Sequence, residues 1–295
     1  MEKNKLLTIA IPTYNRQQKL KSQVHRVLSQ LTEEVKLVII DNCSDYNIYS
    51  LFSDEDKHNM TIIRNDYNIG GDANIAKCFE VCDTEWLWTL SDDDVISDDA
   101  VSCILSDIKK SSNVIFLNYN GKNTLKLNGF DNFCKGVGNY QKFFWMSVCV
   151  YNHLMLKPYL YYYHSLISTM QPGVLLIMYT LLNNSNLSVV EKSDTIIIEG
   201  GKDIHWDVCS FIYSSLYALD ILKYQMRVIN APIIHSITSM LYYLIRKENK
   251  QKGLFISFAM IIDIVQRRGC ANTLRYDFPS LLKTITKIII DKCKA

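Results

Sequence analysis

The sequence predicts an α/β fold built on a mostly parallel sheet with crossover helices. Three observations predict it. Short, mainly apolar runs recur along residues 6–118, stretches with helical periodicity separate them, and polar or acidic residues stand where the runs end. A strand buried on both faces reads as a continuous apolar run, as in parallel sheets. Regular alternation of strand and helix requires crossover connections.

The elements follow in order. Leu6 to Ile11 is an apolar run broken only by Thr8, and Pro12, which cannot donate to a ladder, is expected to end it. Leu20, Val24, Val27, Leu28 and Leu31 share one helical face. Val35 to Ile40 is a second buried strand ending at Asp41, and Met60 to Ile63 a short third. Asp72 is expected to cap a helix carrying Ala73, Ala76 and Phe79. Trp86 to Leu90 is the fourth strand, Val101, Ile104, Leu105 and Ile108 mark a helix, and Val114 to Leu117 is a further strand.

Residue 118 marks a change of character. Asn118 to Gly138 reads as a loop or irregular hairpin, and Tyr140 to Tyr163 is strongly aromatic. Val174 to Leu182 reads as a buried helix and Thr195 to Ile198 as a strand before Gly200-Gly201; the chain reads as mainly helical from Trp206. The expected organisation is 1–118, 119–230 and 231–295, the last a C-terminal helical region.

Composition narrows the function classes. The 295 residues are 48% hydrophobic, enough for a sizeable core. Lys and Arg number 32 against 30 Asp and Glu, a balance that gives no reason to expect a nucleic-acid partner. Nine cysteines without CxxC or zinc-like spacing fit reduced thiols in a cytoplasmic protein. The first residues lack an apolar h-region, so no secretory signal is expected. No uncharged apolar stretch reaches the roughly 18 residues of a spanning helix.

The chemistry concentrates at Ser91-Asp92-Asp93-Asp94, where an apolar strand gives way to three carboxylates. Alternation along an extended chain would point Asp92 and Asp94 the same way. Paired carboxylates suit a hard divalent cation shared with phosphate oxygens, and the competing reading is a solvated turn that caps the next helix. Ligands of open α/β sheets bind outside the carboxyl ends of strands, which is where Asp41 and the triplet both fall.

Four segments then resemble family 2 glycosyltransferases in order and spacing: Thr8-Ile9-Ala10-Ile11-Pro12-Thr13-Tyr14-Asn15-Arg16, Val38-Ile39-Ile40-Asp41-Asn42-Cys43-Ser44-Asp45, Asn68-Ile69-Gly70-Gly71-Asp72-Ala73-Asn74, and the acidic group. The resemblance covers roughly residues 6–118. It implies a GT-A fold (Rossmann-like, with flanking helices), a nucleotide-sugar donor, usually a UDP-sugar, Mg²⁺ or Mn²⁺, and inversion at the anomeric carbon. It places Pro12, Thr13, Tyr14 and Asn15 against the nucleotide, and Asp41 at the uracil or ribose unless it is a turn cap. Asn68, Gly70, Gly71 and Asn74 fall beside the donor, Asn74 competing with a plain surface role. Asp94 is the first choice for the metal, Asp92 serves ribose or metal, and Asp93 the donor sugar or solvent.

The family keeps its general base in the second half, often in a Glu-Asp pair, and none occurs here downstream of the triplet. Asp203 is the substitute, with Glu199 and Asp207 behind it, and His205 is a candidate for the diphosphate or metal. Ser168 to Gly173 either lines the acceptor pocket or starts a helix. The expected acceptor is a glycan or lipid-linked glycan of surface polysaccharide, such as capsule or lipopolysaccharide. The basic amphipathic stretch with Leu281, Leu282, Ile285, Ile288 and Ile289 on one face suits peripheral contact with the cytoplasmic membrane, or packing on protein, including a second subunit. Two alternatives remain: a non-catalytic sugar-nucleotide binder that lost its base, and a nucleotidyltransferase, which would want a Gly-rich basic loop where Pro-Thr-Tyr-Asn stands.

Overall fold

The computed structural model of the chain describes residues 5–136, 143, 145–169, 172–200 and 286. It opens with β1 (Leu7–Thr13), α1 (Gln17–Leu28), β2 (Val35–Asp41), α2 (Asp54–His58), β3 (Met60–Arg64), α3 (Gly71–Val81) and β4 (Trp86–Thr89). A two-residue strand β5 (Val95–Ile96) precedes α4 (Ala100–Lys109), β6 (Val114–Asn118), β7 (Leu125–Asn128) and α5 (Gly129–Gly136). The remainder is β8 (Cys149–Asn152), α6 (His153–Leu156), α7 (Leu160–Ser165), α8 (Pro172–Asn183), β9 (Ser188–Glu191) and β10 (Ile197–Glu199).

Eight strands form one sheet in the order β3-β2-β1-β4-β8-β6-β9-β7, and β10 pairs antiparallel with β5 in a separate ribbon. Strands β3, β2, β1 and β4 are mutually parallel, and so are β6 and β9; β8 runs antiparallel to both its neighbours, as does β7 to β9. The fold is therefore α/β with a mostly parallel sheet, as the alternating pattern predicts. The chain divides into two compact units. One comprises Met1–Phe133, Lys142–Ser168 and Pro172–Ile204; the other comprises Cys134–Gln141, Thr169–Gln171 and His205–Ala295 and lies almost wholly outside the described residues. Residues on both sides of position 118 thus share the first unit.

β1 and β2 are continuous apolar runs because both faces are covered; Leu7, Ile9, Ile11, Val35 and Ile39 are fully buried. The helices α1 and α4 each turn an apolar face inward, through Leu20, Val24 and Val27 and through Val101, Ile104 and Ile108. On α3, Phe79 packs edge-on against Tyr151 of β8, with ring centroids 5.0 Å apart. Trp86 and Trp88 fill the core beneath β4, and the Trp88 indole N–H finds the Ser147 carbonyl at 2.7 Å.

Several expectations change. Pro12 does not end β1, which pairs with β2 as far as Thr13. Ala10 accepts from Leu90 on the β4 side while Thr13 accepts from Asn42 on the β2 side. Pro12 has the parity of Ala10, so its missing N–H faces the side where pairing with β4 has already stopped. Asp72 is not the cap of α3; Gly70, at φ 88°, takes that position, and Asp72 sits in the first helical turn. The stretch from Asn118, expected to be a loop or irregular hairpin, holds edge strand β7, which pairs with β9, and helix α5, and the aromatic stretch contains the buried strand β8. Pro172 opens α8, the helix-start reading of its segment, while Met170 and Gln171 lie outside the described residues. No helix among the described residues is long and apolar enough to cross a membrane, and the C-terminal amphipathic stretch falls outside them apart from Thr286.

Candidate active site

The carboxyl ends of β1, β2, β3 and β4 lie side by side; the crossover from β1 leads to β2 on one side of it, and the crossover from β3 leads to β4 on the other. This is a topological switch point, where open α/β sheets form a crevice. Asp41, the last residue of β2, is fully buried. Its carboxylate accepts from the Ser44 backbone N–H at 3.1 Å and pairs with Arg64 at the end of β3. Arg64 also donates to the Ser44 carbonyl at 2.6 Å and the Tyr46 carbonyl at 3.2 Å. The pair compensates two charges that burial would otherwise penalise and fixes the loop after β2. Asn15, at φ 53°, exchanges hydrogen bonds of 2.8 Å with Asp45 in both directions, tying the β1 loop to the β2 loop. Tyr14 beside it is 41% exposed, an aromatic face presented to solvent at the strand end.

A buried asparagine network carries the turn before α3. Asn65 donates to Asn42 at 3.0 Å and to Asn74 at 2.9 Å; Asn74 donates to the Ile40 carbonyl at 3.1 Å. Asn42 donates to Asn68 at 2.7 Å and accepts from the Ile69 N–H at 2.9 Å. Asn74 is thus buried with both ends of its amide on protein atoms, neither at the surface nor turned to the crevice. Gly70 and Gly71 have no heavy atom within 4 Å of where a side chain would begin, so the turn leaves open space above the backbone. Burial raises the pKa of Asp72 next to it.

The acidic triplet divides. β4 ends at Thr89, so strand alternation does not reach Asp92 and Asp94, and the two turn to different partners. Asp92 faces β1: one oxygen accepts from Thr13 at 2.7 Å, the other from Arg16 at 2.8 Å. Burial raises its pKa, with the Thr13 hydrogen bond and the Arg16 charge opposing. Asp93 takes Arg16 at 3.0 Å, and its other oxygen accepts from Ser91 at 2.6 Å. Asp94, 3% exposed, accepts from the Trp145 indole N–H at 2.7 Å.

Trp145 reaches Asp94 because Ser147 is pinned to the end of β4: its hydroxyl accepts from the Ser91 N–H at 2.9 Å and its carbonyl from Trp88. The ribbon brings a third segment. Glu199 registers opposite Val95, the residue after Asp94, and a side chain on Gly200 would begin 3.1 Å from the Trp145 ring and 3.7 Å from Asp94 Oδ1. Glu199 is exposed there. Asp203, His205 and Asp207 lie outside the described residues. Arg16 and Trp145 are the side chains sequence reasoning passed over. Arg16 stood inside a quoted motif without a role, and nothing local to Trp145 ties it to Asp94.

The strand order and switch point are those of a GT-A fold, which solved structures share. Residues 1–349 of S. aureus TarS superpose with a TM-score of 0.62 at 16% identity, over 95% of this chain and 88% of that one. A mannosyltransferase from Pyrobaculum calidifontis, PcManGT, solved with GDP-Man and Mn²⁺, gives 0.52 at 12% identity, over 97% and 87%. Residues 8–141 match the model of Glycosyl transferase family 2. An uncharacterized glycosyltransferase of Haemophilus influenzae is 24% identical over 125 residues, which span 42% of this chain and 42% of that relative.

The family's divalent cation can be tested against the donor set. The described residues contain no cluster of three or more His, Cys, Asp or Glu side chains arranged to hold a metal. Mg²⁺ commonly takes one or two carboxylates and fills its shell with substrate phosphates and water. Asp94 accepts from the neutral Trp145 N–H at Oδ2. Asp92 fits that arrangement poorly, because both its oxygens accept from Thr13 and Arg16.

Proposed function

We propose that this chain is an inverting glycosyltransferase that moves a sugar from a UDP-sugar to a glycan or lipid-linked glycan. The observation that carries the reading is the meeting of Asp94 with Trp145 and the end of β10 beside the switch point. The nucleotide would lie over Pro12, Thr13, Tyr14 and Asn15, with Asp41 and Arg64 beneath the uracil or ribose. Asn68 and Gly71 would border the donor, and Asp93 would approach its sugar. Asp94 would hold Mg²⁺ or Mn²⁺ together with the diphosphate. A cation there neutralises charge developing on the diphosphate as the glycosidic bond breaks. Arg16 keeps Asp92 and Asp93 paired, and Glu199, Asp203 or Asp207 removes the proton of the acceptor hydroxyl.

A thermal-shift panel of UDP- and GDP-sugars, with Mn²⁺ and with EDTA, tests this. Saturating ligand at about a hundred times Kd adds about 2.7 kcal/mol of stability. Stabilisation by a UDP-sugar that EDTA removes supports the reading. A GDP-sugar acting alone changes the donor, and no metal-dependent stabilisation by any nucleotide sugar overturns it.

A further inference from the structure

We infer that Tyr67 is a second wall of the nucleotide slot, closing on the base from the side opposite Tyr14. The inference rests on the donor-binding reading above and deepens it by naming a further residue that holds the base.

The sheet order sets the frame. β1 and β3 flank β2, and Thr13 of β1 and Arg64 of β3 are both registered opposite Asp41. Tyr14 stands one residue past that level after β1, and Tyr67 three residues past it after β3. The two loops are tied to consecutive residues of the loop after β2. On the β1 side the Asn15 backbone N–H donates to the Ser44 hydroxyl at 2.9 Å. On the β3 side the Cys43 thiol donates to the Asp66 carbonyl at 3.6 Å. Each tyrosine is one residue from its tie, and the two ties are neighbours in the chain.

The turn beneath Tyr67 is held at both ends. The Asn65 N–H donates to the Asp41 carbonyl at 2.9 Å, and the Asn68 side chain accepts from Asn42 at 2.7 Å and from the Gly70 N–H at 2.9 Å. Tyr67 nevertheless is 70% exposed, more than any other large hydrophobic side chain among the described residues. A single exposed aromatic is ordinary on a protein surface. This one stands on a backbone fixed by the same loop that surrounds Asp41. A ring carried on a backbone already in place gives up less freedom when a ligand arrives.

The spacing suits a flat base. Two strands that share a neighbour stand about 10 Å apart, and a base with a ring on each face takes roughly 7 Å. Tyrosine side chains from the two loops span the difference. Asp41 and Arg64 lie between them at the floor and offer polar groups to the edge of the base. Every base has a π-face, so stacking supplies affinity with little regard to base identity. The walls therefore add binding strength, and the floor makes the choice.

Full-length Tyr67→Leu and Tyr67→Phe proteins would be titrated with UDP in the presence of Mn²⁺ by isothermal calorimetry, and unfolded in urea without nucleotide. Tyr161→Leu is the control, because Tyr161 is 62% exposed on α7. Tyr67→Leu keeps apolar bulk and loses the ring, so UDP affinity falls about 5-fold or more while the urea midpoint stays at the wild-type value. Tyr67→Phe keeps the ring and binds UDP within about two-fold of wild type. Tyr161→Leu binds UDP as wild type does. Where GDP is the nucleotide that binds, the same titrations use GDP. Wild-type affinity in Tyr67→Leu overturns the inference. So does an equal loss in Tyr67→Phe, which would move the contact to the hydroxyl, or in Tyr161→Leu. A lowered urea midpoint in Tyr67→Leu overturns it as well, because the loss would then belong to the turn. Wild-type protein that binds neither UDP nor GDP overturns the donor-binding reading instead, and the inference falls with it.

Discussion

On one side of the crevice four parallel strands each deliver a polar residue at their own carboxyl end: Thr13 from β1, Asp41 from β2, Arg64 from β3 and the acidic turn after β4. On the other side Trp145 comes from the turn before antiparallel β8, and Gly200 from the end of the β10–β5 ribbon. The first side is held by charge and by amides; Arg16, Arg64 and the asparagine network tie its loops together. The second side meets Asp94 through a neutral indole and a backbone without a side chain. The difference lies in the kind of donor: Asp41 and Asp92 accept from arginines, whereas Asp94 accepts from the Trp145 indole.

The sharpest way to break this contrast is to remove the cation on the parallel side. Arg16→Met leaves Asp92, 3% exposed, with the Thr13 hydroxyl still donating to it. Breaking a buried pair costs about 3–5 kcal/mol, and because Arg16 is 26% exposed the expected loss is nearer 2–3 kcal/mol. Urea denaturation measures it. Asp92→Asn in the same protein should recover much of the loss, because the uncompensated charge goes with it. An Arg16→Met protein as stable as wild type would mean that charge pairing does not hold the parallel side.

This contrast also explains how much of the molecule is legible in the sequence. β1, β2 and β4 announce themselves because burial on both faces demands a mainly apolar run, and polar residues that line the crevice follow where the run stops. Asp41 and the triplet are visible for that reason. The division of the triplet is not. It depends on where β4 stops and on which loops arrive, and alternation wrongly aligns Asp92 with Asp94. β8, with four residues, is too short to show a period, so Trp145 had no element to place it. Asn74 looked like a donor or surface residue because an amide in a motif carries no mark of burial. Its partner Asn65 lies nine residues earlier, just after β3 and outside the helix that carries Asn74.

The asparagine network offers the next test. Asn65→Ala removes one amide nitrogen that donates to both Asn42 and Asn74, leaving two buried carbonyl oxygens short of a donor. Each such group costs about 1–3 kcal/mol when wholly unsatisfied. Asn42 retains the Ile69 N–H, so a total near 2 kcal/mol is expected by denaturant titration. Because the network carries the Asn68–Gly71 turn, affinity for UDP-sugar should fall along with stability. Lost stability with unchanged affinity would show that the turn stays in place without the network.

The smallest effect falls on the far side of β4, at His153. This side chain is buried at the start of α6, with Nε2 2.9 Å from the Phe79 carbonyl. Burial lowers its pKa below the ordinary 6.5, outweighing the hydrogen bond to that carbonyl, which acts the other way. The unfolded chain therefore binds more protons than the native one below about pH 6.5, and stability rises with pH there. The contribution is complete above the unfolded value and is lost as pH falls from 6.5 through the lowered folded value. One proton sets the limit at about 1.4 kcal/mol per pH unit. His153→Gln can still donate to Phe79 and does not titrate, so its denaturation free energy between pH 5 and 7 should follow a shallower slope than wild type. Equal slopes would place the acid sensitivity on the buried carboxylates of the parallel side, and so reverse which half of the sheet responds to protons in that range.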